Sequence, residues 1–177
     1  NVIGTVSNAN TVNSTEKNEI LEALKQEARK CKPKPVKDTW IQFQKIITDI
    51  ITGERFVATP DYFVTNPIPY PLNYDNIENT PNMDRIFAEW VGEENVRLLY
   101  EIIAYSLLPS YPIHRLFCFI GAGMNGKSCF LRLLQKFVGV ENVCSTELVT
   151  LLSARFEVTR LHKKLVCIMG ATNFDEL

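Results

Sequence analysis

Apolar residues change their spacing along this chain, and each change predicts an element. After a polar opening, Asn1 to Asn13, that reads as a frayed strand, Asn13 or Ser14 can cap a helix from about Thr15 to Lys30. Ile20, Leu21, Leu24 and Ala28 fall on one face of it, and Pro33 and Pro35 end it. Trp40 to Ile51 is β-branched and aromatic, and Thr52-Gly53-Glu54 can turn it back into Arg55 to Ala58, a predicted hairpin. Thr59 to Pro81 then carries five prolines among Tyr62, Phe63, Tyr70 and Tyr74, which predicts irregular extended chain anchored by aromatics. Pro67, Pro69 and Pro71 do not repeat every third residue, so a polyproline recognition motif is the poorer reading.

Helical spacing returns at Pro81. Thr80 is the expected cap, Ile86, Phe87 and Trp90 the buried face, and Gly92 the stop. A second helix, Glu94 to Leu108, presents Val96, Leu99, Ile102, Ile103 and Leu107 before Pro109 and Pro112 break it. Beyond that point strand-like and helical patterns alternate. Leu116 to Ile120 is an unbroken apolar run that predicts a buried strand, and Cys129 to Val138 places Phe130, Leu131, Leu133, Leu134 and Phe137 at helical spacing. Gly139 ends that helix, Asn142 to Cys144 reads as a short strand, Ser145 as the cap of a helix reaching Ser153, and Lys164 to Gly170 as a second buried strand. The expected class is α/β: a helix-rich α+β region followed by the beginning of a parallel-sheet domain. The boundaries are a helix and linker over residues 1–38, a mixed domain over 39–112 and a sheet domain over 113–177.

The chain has 177 residues, 46% of them hydrophobic, and a formal net charge of −1, so a core can form and the balance neither demands nor forbids nucleic acid. The basic run Arg29, Lys30, Lys32, Lys34, Lys37 reads as a solvated linker rather than a phosphate-tracking patch. No stretch approaches a membrane span and no signal peptide opens the chain. Five cysteines, without a C-x-x-C pair, make zinc improbable and suit a reducing, intracellular compartment; packed thiols are expected, Cys129 included. A chain that starts at Asn1 and stops just after a strand reads as a fragment.

Chemistry concentrates between the first apolar run and its helix. Gly121-Ala122-Gly123-Met124-Asn125-Gly126-Lys127-Ser128 satisfies G-x-x-x-x-G-K-[S/T] and sits between strand and helix, as a phosphate loop must. Gly121, Gly123 and Gly126 let successive N–H groups turn toward one centre, and the helix start adds its own amides and the positive end of its dipole. Lys127 would bring an ammonium to the β and γ oxygens, and the Ser128 hydroxyl would ligate Mg²⁺; Cys129 completes the nucleotide-binding set of residues 121–129. The bland alternative is a glycine-rich turn without ligand. Hydrolysis needs more: a carboxylate beside the γ-phosphate, ordinarily at the end of a neighbouring parallel strand. The position after Lys164 to Gly170 is Ala171, and the nearest carboxylates are Asp175 and Glu176.

Phe119-Ile-Gly-Ala-Gly-Met-Asn-Gly-Lys-Ser128 resembles the phosphate loop of superfamily 3 helicases, specifically the primase–helicases of large DNA viruses, phages and plasmids. Trp40-Ile-Gln-Phe, Asp49-Ile-Ile-Thr-Gly-Glu54, Asp61-Tyr-Phe and Asn66-Pro-Ile-Pro-Tyr70 look like that family's accessory region, so the likeness runs from about Trp40 onward. It implies an ATP-driven, Mg²⁺-dependent DNA helicase of AAA+ architecture, assembling as a ring, typically a hexamer, around single-stranded or forked DNA. It also implies no membrane association and a host cytoplasm setting. Relatives would carry a carboxylate, most often Glu, where Ala171 stands, so Ala171 is expected to be an introduced Glu→Ala change that permits binding and blocks turnover, unless Asp175 or Glu176 serves instead. His114 is expected in a loop or at a strand edge, and Arg155 and Arg160 at the surface rather than on a neighbour's phosphates. A P-loop kinase, or a non-catalytic nucleotide-dependent assembly module, are the competing readings.

Overall fold

Asn13 opens the first helix with a reciprocal cap: its Oδ1 accepts from the Glu16 amide at 2.8 Å, and the Asn13 amide donates to Glu16 Oε2 at 3.3 Å. This is a computed structural model, and it describes residues 13–30, 32–72 and 80–170; the expected opening strand lies outside them, apart from Asn13. Helix α1, Ser14–Ala28, carries the ion pairs Lys25–Glu22 and Lys30–Glu27 at its end, each at 2.6 Å. Its predicted apolar face is not buried: Ile20 and Leu21 are half-covered and Leu24 is 49% exposed. The described residues of Asn1–Pro35 form one compact unit with Pro60–Phe63, in which Lys34 pairs with Asp61 at 3.0 Å. The basic linker residues Arg29, Lys30, Lys32, Lys34 and Lys37 are all exposed.

The second unit comprises the described residues of Val36–Thr59 and Val64–Leu177. It begins with an antiparallel sheet in the order β1 (Trp40–Gln42), β2 (Ile46–Asp49), β3 (Arg55–Val57). The single long strand expected over Trp40 to Ile51 is thus two strands, folded back through residues 43–45, with Phe43 N–H bonding Ile46 O at 2.8 Å. The predicted turn at Gly53 is present, with φ of 72°.

Asp49 organises that turn. It is 2% exposed, and its carboxylate accepts from Trp40 Nε1 at 3.1 Å and from the Ile51 and Thr52 amides at 3.0 and 3.4 Å, with Lys37 Nζ 3.5 Å away. Burial pushes the carboxyl up, but the hydrogen bonds from Ile51, Thr39, Trp40 and Thr52 outweigh it and bring the group down to about 2. A carboxylate held below its unfolded value, about 4, stabilises the fold fully above that pH and loses the contribution as pH falls toward 2. Urea unfolding between pH 6 and pH 2 is therefore expected to show a wild-type midpoint dropping steeply in the acid limb, and a lower, flatter profile for Asp49→Asn. Parallel profiles would refute this role.

Among residues 59–72 Ile68 is the buried one, its amide bonding Gln42 O at 2.8 Å. Of the expected aromatic anchors, Tyr62 is half-buried with Lys34 Nζ 5.4 Å from its ring centre, whereas Phe63 and Tyr70 are exposed. The predicted aromatic Tyr74 lies outside the described residues.

Helix α2, Pro81–Val91, starts on proline and stops at Gly92 with φ of 83°. Thr80 makes no side-chain cap; its hydroxyl lies 3.1 Å from the Tyr100 hydroxyl instead. A 3₁₀ turn, Glu93–Asn95, precedes helix α3, Val96–Tyr105, so the second helix is shorter than predicted at both ends. Helix α4, Lys127–Val138, follows the glycine loop. Phe87, Leu99, Ile102 and Phe130 bury against one another where these three helices meet, and a second cluster of Leu134, Val138 and Val143 joins α4 to the parallel pair β4 (Val143–Thr146) and β5 (Val166–Met169). Ser145 lies inside β4 rather than capping a helix; the short helix α5, Leu148–Ser153, starts after Glu147. Buried Asn142 ties these pieces together, donating to Val138 O at 2.8 Å and Pro67 O at 3.0 Å while Asn66 donates to its Oδ1 at 3.2 Å. The architecture is mixed helix and sheet, with one small antiparallel and one small parallel sheet, compatible with α/β.

Candidate phosphate-binding site

Gly126 shapes the loop. It takes a left-handed conformation, φ 84° and ψ −11°, and becomes the N-cap of α4. A Cβ there would stand 2.4 to 2.5 Å from three atoms of the Trp90 indole, so Trp90 of α2 backs directly onto the loop. Phe87 in turn holds Trp90, their ring centroids 5.7 Å apart, and Phe87 packs on Phe130 of α4 at 5.9 Å. The loop therefore backs onto a helix–helix core. Met124 also has positive φ, 56°, and its side chain is fully exposed.

The amides beyond Gly126 are open. Phe130 N–H is the first to bond back, to Gly126 O at 2.9 Å. Among the described residues, the amides of Lys127, Ser128 and Cys129 thus have no backbone acceptor, the usual condition of a helix start. A concavity of about 350 Å³, near the lower end of small-molecule sites, opens over them and is lined by residues 123–129. Gly123 has no atom within 4 Å of where a Cβ would lie, leaving its face clear for an approaching group.

Lys127 does not reach outward. Its Nζ donates to Gly121 O, Ala122 O and Asn125 Oδ1, each at 2.7 Å. Ser128 is exposed at the mouth, and so is Cys129, whose thiol is not packed as expected. Cys118 is likewise exposed, while Cys144 is buried and faces Cys167 across the β4–β5 register. Burial and the neighbouring Cys144 push the Cys167 thiol up to about 12, which makes it an unreactive packing group.

The segment before the loop departs from expectation. Leu116 to Ile120 joins no ladder among the described residues, and Leu116 and Ile120 are 77% and 89% exposed. Phe119 packs against the helix cluster and meets Phe130 at 5.2 Å, and Phe117 meets Tyr105 at 5.9 Å. A strand exists by sharing backbone hydrogen bonds, and the parallel sheet among the described residues, β4 with β5, leaves this run aside. His114 is exposed in the same irregular stretch.

At the C-terminal end of β4 the Thr146 hydroxyl donates to Glu157 Oε1 at 2.6 Å, and Arg160 pairs with the same oxygen at 2.8 Å. The Thr146 bond, then Arg160, hold the Glu157 carboxyl below its ordinary range against the effect of burial. Arg155 lies over the Phe156 ring, 5.7 Å from its centroid. Ala171, Asp175 and Glu176 lie outside the described residues. Sequence reasoning missed the Trp90 support and the inward Lys127, because neither contact has a local signature.

Among the described residues there is no cluster of three or more His, Cys, Asp or Glu, and no helix long and apolar enough to cross a membrane. No protein-family model matches the chain. It is similar to the uncharacterized mitochondrial protein ymf21 of Marchantia polymorpha, with 26% identity over 148 residues, 76% of this chain and 82% of that protein.

Proposed function

We propose that residues 121–128 bind the triphosphate of ATP and that the chain belongs to an ATP-driven DNA helicase motor of the superfamily 3, AAA+ kind. The observation that carries the reading is the left-handed Gly126 ending a glycine loop at the start of α4, with the following amides open to a concavity. Amides aimed at one centre from a helix N-terminus are the recurrent protein solution for polyphosphate. Lys127 adds the cationic group such a ligand needs. The Phe119-to-Ser128 likeness to that family extends the reading from binding to motor chemistry, with the expected P-loop parallel sheet, ring assembly and single-stranded or forked DNA as partner.

Mg²⁺ fits the donor set only in company. Ser128 offers one exposed hydroxyl, and the described residues hold no acidic cage. Mg²⁺ commonly keeps waters and shares phosphate oxygens rather than occupying an all-protein site, so Ser128 with the nucleotide would suffice to hold it. When bound it would neutralise charge on the β- and γ-phosphates. The chain's own part is to orient the phosphates through residues 123–128.

The similarity to a mitochondrial protein favours an intracellular setting, the mitochondrion included. DNA-stimulated ATPase of the complete gene product tests the reading, since acceptor phosphorylation would favour a kinase and nucleotide binding without turnover an assembly module. Ala171→Glu is expected to raise ATP hydrolysis roughly 100-fold or more, the scale of a positioned general base. Unchanged hydrolysis would end the proposal that position 171 carries the catalytic carboxylate.

A further inference from the structure

Resting on the nucleotide-site reading, we infer that Asn125 is a positioning residue that latches Lys127 within the loop and surrenders it to an incoming polyphosphate.

The Lys127 ammonium has three protons to donate, and three neutral oxygens take them at 2.7 Å: Gly121 O, Ala122 O and Asn125 Oδ1. Two of these acceptors are backbone; Asn125 is the single side chain of the set. The Asn125 amide lies close against the loop's other end, because a Cβ on Gly121 would meet Asn125 Nδ2 at 2.3 Å. Glycine at 121 is thus what lets Asn125 fold across the loop and place its oxygen on Lys127. No carboxylate pairs with this lysine among the described residues. Neutral acceptors hold an ammonium less strongly than phosphate oxygens do, so a polyphosphate can displace them where a carboxylate would compete. The latch has two consequences: it sets a cost on binding, and it withholds the ammonium from weakly charged ligands.

Two substitutions pull in opposite directions, which a structural role for Asn125 would not produce. Asn125→Ala removes one acceptor, so affinity for inorganic tripolyphosphate and Mg-ATP is expected to rise about three- to tenfold. Asn125→Asp exchanges a neutral acceptor for a carboxylate on the ammonium, so affinity is expected to fall at least about tenfold, less so in high salt. Both are measured by calorimetry on the complete gene product. A readout without ligand accompanies them: acetylation of Lys127 by an N-hydroxysuccinimide ester, followed by mass spectrometry, is expected to speed up several-fold in Asn125→Ala and to slow in Asn125→Asp.

Affinity that falls alike in both variants, or Lys127 acetylation indifferent to position 125, overturns the latch while leaving the nucleotide site standing. Wild-type protein that binds neither tripolyphosphate nor Mg-ATP overturns the nucleotide site itself and the latch with it, whatever the acetylation rates.

Discussion

Gly126→Ala is expected to abolish measurable nucleotide binding and to lower stability by about 2–5 kcal/mol. Two independent costs add. An alanine held at φ 84° costs about 1–2 kcal/mol, because its Cβ crowds the following carbonyl. The same Cβ would sit 2.4 Å from the Trp90 ring, and forcing an atom into such a contact costs about 1–3 kcal/mol. Trp90 cannot simply swing aside, since it packs on Phe87, which is buried at the centre of the helix cluster. Relief must come from the loop, and moving the loop dismantles the set of amides. Urea unfolding and titration with a fluorescent ATP analogue measure both effects. Gly123→Ala is the control: its Cβ would meet nothing within 4 Å, so stability should stay within about 1 kcal/mol of wild type. Trp90→Leu combined with Gly126→Ala should recover the steric part of the loss and leave the dihedral part. Equal behaviour of Gly123→Ala and Gly126→Ala would refute the Trp90 buttress.

Lys127→Ala is expected to do the opposite in kind: little to the fold, much to the ligand. Among the described residues the ammonium bonds within its own loop, at Gly121, Ala122 and Asn125, whose exposed oxygens water can solvate in its place, so its loss should change stability by about 1 kcal/mol. A polyphosphate would lose its principal side-chain cation. Charge-assisted hydrogen bonds contribute about 1.5–3 kcal/mol each, so affinity for ATP should fall on the order of 100-fold or more. Lys127→Arg should rescue poorly, because a planar fork does not fit where a point charge takes three loop oxygens. Thermal unfolding in parallel with calorimetry separates the two readouts. Retained affinity in Lys127→Ala would remove this residue from the site.

These contrasts also mark what the amino-acid order made legible. The loop, its helix and the stops at Gly92 and Gly139 were readable because each rests on local chemistry: glycine's freedom, proline at a helix start, and 3.6-residue spacing. Asn13 was readable as a cap for the same reason. Leu116 to Ile120 was not, since an apolar run states a preference for burial but not which strand will pair with it. Ser145 satisfied the composition of a cap, yet its neighbours Val143 and Cys144 had a parallel partner in Val166 and Cys167, and the ladder prevailed. In residues 59–72 the aromatics suggested anchors, but burial went to Ile68, which the Gln42 carbonyl fixes against the first sheet. The indole behind Gly126 lies 36 positions upstream of it in sequence, and no local pattern links the two.

The central claim is that the amides around residues 123–128, with Lys127, form a receptor for polyphosphate. Backbone ¹⁵N–¹H resonances followed during titration with Mg-ATP, using protein labelled on nitrogen, test it most directly. The account predicts saturable shifts largest at Gly123, Asn125, Gly126, Lys127 and Ser128, reproduced by inorganic tripolyphosphate and absent in Gly126→Ala. Shifts that never saturate, or that saturate elsewhere while these amides stay still, would contradict it.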